Sequence, residues 1–125
     1  GGEISRIALA IEMVISNLLK RQTLIFDEID VGISGRVAIQ VAKKIGILSK
    51  SLQILCITHL TQTACIADKH YKIAKKVIDR HTFAEADLLN ESQHLNAIAL
   101  MISGTYDSAS ALESAREMEK SVKNG

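Results

Sequence analysis

The sequence predicts an α/β fold, a mainly parallel sheet flanked by helices, on three observations. Two short runs, Thr23–Phe26 and Leu52–Ile57, are apolar almost throughout instead of alternating, the pattern of strands covered on both faces in a parallel sheet. Each run stops abruptly in polar residues, Asp27-Glu28 in one case and Thr58-His59 in the other. Between them, a helix is read from the recurrence of Val37, Ile39, Val41, Ala42, Ile45 and Leu48, so the order is strand, helix, strand.

The remaining elements follow in chain order. Ile4, Ile7, Ala8, Ile11, Val14, Ile15 and Leu18 form a helical stripe, with Glu3 placing negative charge near the helix start. Lys20-Arg21-Gln22 ends it. After the first strand, residues 30–35 read as a turn in which Gly32 and Gly35 supply positive φ. A helix is predicted over about 36–49, then the second strand, then a short helix over about 61–67. Tyr71–Val77 and a more polar run near Thr82–Ala86 are expected to pair as a hairpin. Two closing helices, roughly 92–102 and 108–122, are separated by Ser103-Gly104-Thr105. The 125 residues contain no Pro, which favours uninterrupted helices.

Composition narrows the function classes. Hydrophobic residues make up 47% of the chain and aromatics only 3%, with no Trp, so aliphatic side chains must fill one domain-sized core. No apolar run approaches the roughly 20 residues of a membrane span. The net charge of +1 decides little about partners. Lys69, Lys72, Lys75, Lys76 and Arg80 form the nearest basic cluster, diluted by Asp68 and Asp79, and read as a solvated strand and turn. Cys56 and Cys65 lie in apolar segments, as buried free thiols in a reducing cytosol do. The start Gly1-Gly2-Glu3, without Met, reads as a piece of a longer chain.

In an α/β sheet, ligands meet the carboxyl ends of the strands. Were the two strands parallel neighbours, Asp27, Glu28 and His59 would face one crevice. Four apolar residues followed by Asp-Glu is a Walker B arrangement: Asp27 can hold Mg2+ directly or through water, and Glu28 can orient the water that attacks a γ-phosphate. His59 could hydrogen-bond that phosphate. Each piece also has a plain structural reading, since acidic residues commonly follow a buried strand and a lone His after a strand is commonly a structural hydrogen-bonder.

Order and spacing add to these readings. Gly1-Gly2-Glu3 followed by Ile-Ser-Arg resembles the tail of an ABC signature motif, TLIFDEID resembles Walker B, residues 31–35 stand at the D-loop, and ITH ends in His59 at the switch-histidine position. Within the ABC/SMC class, FDEIDVGISGR, LCITHLTQTACIADKHY and the closing SAREME helix resemble the RecN family. SMC heads usually carry Ala-Leu-Asp in the D-loop. Here Ser34 stands where most ABC proteins have Asp, a departure that is itself RecN-like. The resemblance implies that residues 1–125 form the C-terminal lobe of an ABC-type ATPase head, with the Walker A lobe and coiled coil outside this chain. It implies Glu28 and His59 as catalytic residues and Asp27 as the Mg2+ carboxylate. Gly1, Gly2, Glu3, Ser34 and Gly35 would contact nucleotide or the dimer seam, the glycines offering backbone N–H groups to a partner's ATP. It further implies head-to-tail self-pairing around ATP, DNA binding through the full-length protein, and double-strand break repair and recombination in the bacterial cytoplasm, associated with the nucleoid.

No Gly-x-x-x-x-Gly-Lys-Ser/Thr phosphate loop occurs in these residues, so the chain alone is expected neither to bind ATP tightly nor to hydrolyse it. Three rivals stand beside this reading. The chain could come from a RecF-like or SMC head, which the D-loop sequence distinguishes. It could be a zinc module built on Cys56, His59, Cys65 and His70, against which the apolar surroundings of Cys56 speak. It could be a non-catalytic interaction or phosphorelay α/β domain with Asp27 as phosphoacceptor, which leaves Gly1-Gly2 and Thr58-His59 unexplained.

Overall fold

The computed structural model describes residues 3, 6, 7, 9–11, 14, 23–27, 29–105 and 109–123. The described residues before position 15 are helical, as the stripe predicts. Thereafter the elements are β1 (Thr23–Asp27), α1 (Gly35–Leu48), β2 (Gln53–Ile57), α2 (Thr61–Cys65), β3 (Tyr71–Ile78), β4 (His81–Leu88), α3 (Glu91–Ser103) and α4 (Ala109–Lys123). β1 and β2 pair in parallel, with Leu24 opposite Ile54 and Asp27 opposite Ile57. β3 and β4 form an antiparallel hairpin. The fold is therefore α/β, with the expected element order.

α1 is the crossover that makes the parallel pair possible. Its buried residues Ala38, Val41, Ala42, Ile45 and Leu48 fall on one face. Ala38, Val41, Ile45 and Leu48 join a core with Leu9, Leu24, Ile29, Ile33 and Leu52, against which Phe26, Ile54 and Cys56 pack. A second core joins α2, α3 and α4 through Ala64, Cys65, Ile98, Ala99, Ala111 and Ala115. Four of those six side chains are Ala, which lets the helix backbones approach closely and explains how so few aromatics suffice.

One expectation is corrected here. The apolar strands predicted to be covered on both faces are covered on one. Leu24, Phe26, Ile54 and Cys56 turn toward α1, whereas Ile25 (68% exposed), Leu55 (49%) and Ile57 (60%) turn to solvent. The alternation of side chains across a strand sends these residues to the face opposite α1, and among the described residues no element covers it.

Local chemistry explains the ends of the elements. The loop between β3 and β4 is two residues, Asp79 and Arg80, both at positive φ (49° and 64°), which matches the twist of a tight hairpin. Asn90 caps α3 reciprocally: its side chain accepts from the Gln93 N–H at 2.9 Å while Gln93 Oε1 accepts from the Asn90 N–H at 2.9 Å. α3 stops at Gly104, left-handed at φ 70°, whose N–H donates to the Leu100 carbonyl at 2.8 Å. The basic residues Lys69, Lys72, Lys75, Lys76 and Arg80 are all exposed, and Lys76 pairs with Glu85 across the hairpin.

Candidate active site

The parallel register sets the strand ends side by side. Asp27, the last residue of β1, pairs with Ile57, the last residue of β2, and Thr58-His59 follows directly. Asp27 is exposed and has no ion-pair partner among the described residues. His59 is also exposed, with 69% of its side chain open to solvent. Glu28, Gly1 and Gly2 lie outside the described residues. Glu3 is helical and exposed.

The chain turns sharply after β1. Ile29 is 1% exposed and Ile33 9%, so both ends of the turn are anchored in the core. The Ile33 N–H donates to the Asp30 carbonyl at 3.3 Å, and Gly32 between them sits at φ 74°, as a turn with a left-handed third residue requires. Ser34 then stands at the N-cap of α1 in extended conformation, without capping through its side chain, and Gly35 follows at φ 55°. Both are exposed.

Anchoring the turn buries a residue to which the sequence pattern assigns no role. Asp30 is 0% exposed. Its Oδ2 accepts a hydrogen bond from the Thr58 hydroxyl. The same hydroxyl oxygen accepts from the Leu60 N–H at 2.9 Å, so Thr58 ties the turn after β1 to the start of α2. Asp30 Oδ1 has no hydrogen-bond partner, and His59 Nδ1 lies 3.9 Å from it. The Cys56 thiol is pushed up to about 11, first by burial and then by the negative charge of Asp30. Asp30 is visible as the last letter of TLIFDEID, yet a polar residue in a turn is ordinarily solvated, and only the inward anchoring of Ile29 and Ile33 buries it.

The proposed zinc donors do not converge. Among the described residues no three His, Cys, Asp or Glu side chains are placed to hold a metal ion together. His70 instead meets His94 of α3, and Cys65 is buried in the second core.

Among known proteins, the fold matches SMC ATPase heads. One solved chain, from a study of ATP-driven dimerization and DNA-stimulated activation of SMC ATPases, superposes with a TM-score of 0.59 at 24% identity, covering 86% of this chain and 63% of that chain. The Smc head domain with a coiled coil and joint from Pyrococcus yayanosii also gives 0.59, at 26% identity, over 78% of this chain and 18% of its own. No protein-family model matches. In sequence, the DNA repair protein RecN of Haemophilus influenzae is 41% identical over 118 residues, covering 94% of this chain and 21% of that protein. RecN of Halalkalibacterium halodurans is 42% identical over 94% of this chain and 21% of that protein, and RecN of Bacillus subtilis 41% over 96% and 21%. The chain belongs to the RecN family, and it spans about a fifth of the length of the curated relatives it matches.

Proposed function

We propose that this chain supplies the hydrolytic half of an ATP site in an SMC-like DNA repair ATPase, as the C-terminal lobe of its head. The observation that supports the reading is the parallel pairing of Asp27 with Ile57, which sets the carboxyl end of β1 beside that of β2, two residues before His59. Asp27 offers Mg2+ the hard, unpaired oxygen ligand it requires. Held there, the ion would neutralise negative charge on the phosphates of ATP. Glu28 follows Asp27 directly and orients the attacking water. His59 hydrogen-bonds the γ-phosphate. Gly1, Gly2 and Glu3, with Ser34 and Gly35, serve the partner's nucleotide across a head-to-tail pair of heads.

One structural relative comes from work on ATP-driven dimerization and DNA-stimulated activation of SMC ATPases, which is consistent with that pairing, and the RecN relatives are named for DNA repair. We place the full-length protein in bacterial double-strand break repair and recombination, in the cytoplasm with the nucleoid; none of the helices described is long and apolar enough to cross a membrane. The phosphate loop that would hold ATP is not in this sequence, so residues 1–125 alone are inactive on this reading.

The decisive experiment compares ATP hydrolysis by the full-length protein with that of Glu28→Gln. Loss of turnover with ATP retained and the heads trapped together supports the assignment. Unchanged turnover reduces Asp27-Glu28 to a polar strand end and removes the proposal.

A further inference from the structure

Asp30 poses a problem of electrostatics. A carboxylate at 0% exposure needs hydrogen bonds to replace its lost water, and leaving a buried acceptor unpaired is costly. Thr58 satisfies one oxygen. The other, Oδ1, is bare, and the imidazole of His59 lies beside it, Nδ1 at 3.9 Å. That separation exceeds a hydrogen bond. The His59 side chain is exposed and unrestrained by any hydrogen bond among the described residues, so a rotation of the ring can close the gap. No Lys or Arg among the described residues pairs with Asp30 to compete for the position.

We infer that Asp30 is a positioning residue for His59: its buried, half-satisfied carboxylate captures the Nδ1–H of the imidazole and so presents Nε2 to the strand-end crevice. The assignment deepens the ATPase reading above and rests on it for its catalytic meaning. The two ring nitrogens are distinct, and a bond from one fixes the tautomer and the aim of the other. With Nδ1–H held by Asp30, Nε2 is the acceptor in the neutral ring and becomes a donor once it takes a proton. Without Asp30, an exposed imidazole is free to rotate and to exchange tautomers. The turn between Ile29 and Ile33 makes the device rigid, because its apolar ends are locked in the core. Thr58 adds a second tie, joining Asp30 to the residue immediately before His59.

The test uses the full-length protein with 15N-labelled histidine rings, the His59 signal being identified by its loss in His59→Gln. The wild type is expected to show the Nδ1–H tautomer at His59. Asp30→Asn keeps an acceptor for the Thr58 hydroxyl but turns an amide N–H toward Nδ1, so the Nε2–H tautomer is expected. In ATP hydrolysis, Asp30→Asn is expected to lower kcat by about 10–100-fold with KM for ATP unchanged. Added to His59→Gln, it is expected to cost nothing further, since the two residues act as one unit. An Nε2–H tautomer in the wild type overturns the inference, and that readout stands even where Asp30→Asn fails to fold. An equal further loss in the His59→Gln background makes Asp30 merely structural, and a raised KM with kcat intact makes it a nucleotide ligand; either result overturns it. The tautomer needs no turnover. A full-length protein that hydrolyses no ATP therefore defeats the ATPase reading and leaves the Asp30–His59 contact separately decided.

Discussion

The imidazoles of His70 and His94 meet edge to face, Nδ1 to Nδ1 at 3.0 Å, and tie the start of β3 to α3. One ring must donate and the other accept, so the bond requires at least one neutral imidazole. Burial lowers the pKa of both rings from 6.5; for His70 the neighbouring His94 lowers it further. For His94, Glu119 opposes that shift and Lys123 adds to it, and Glu119 itself pairs with Lys123.

A pH dependence follows, with a definite sign. Because the folded-state pKa values lie below the unfolded value, protons bind the unfolded chain more readily. The stabilising contribution is present above 6.5 and is lost as pH falls through the window beneath it. The thermal midpoint is expected to drop between about pH 7.5 and about pH 5, and His94→Gln to flatten that drop. A midpoint equally pH-dependent in His94→Gln would remove the pair as its cause.

Gly104 gives a simpler case. At φ 70° it closes α3 in a conformation that costs an L residue, yet a Cβ there would meet nothing within 4 Å. Gly104→Ala is expected to destabilise the fold by about 1 kcal/mol, wholly through backbone conformation. Urea unfolding measures it, and a change near zero would mean that α3 ends equally well another way.

The outward face of the parallel pair should govern the behaviour of the isolated chain. Ile25, Leu55 and Ile57 present an apolar stripe to water. Contiguous apolar surface of this kind drives association. Sedimentation of residues 1–125 is expected to depend on concentration, and Ile25→Thr with Ile57→Thr to shift it toward monomer. Since both side chains point away from the core, the stability change should stay within about 0.5 kcal/mol per site. A wild-type chain that sediments as a monomer at every concentration contradicts the expectation.

The sequence by itself determined the order of elements, and did so through local physics. The helical stripe ending at Leu48, the short apolar runs of β1 and β2, the Gly32 turn and the Gly104 stop each depend on residues within a few positions of one another. The same locality made Asp27 and His59 legible as strand-end residues, and the resemblance to the RecN family rested on contiguous motifs. What only the tertiary structure decided involves residues distant along the chain. Sequence could state that β1 and β2 should be neighbours, but the register that sets Asp27 opposite Ile57 comes from α1 packing across both strands. The bare outer face of that sheet, the His70–His94 bond and the burial of Asp30 beneath Thr58 arise likewise from which surfaces meet. An aspartate's composition is the same in water or in a core; its environment, and therefore its chemistry, is set by the neighbours that folding brings to it.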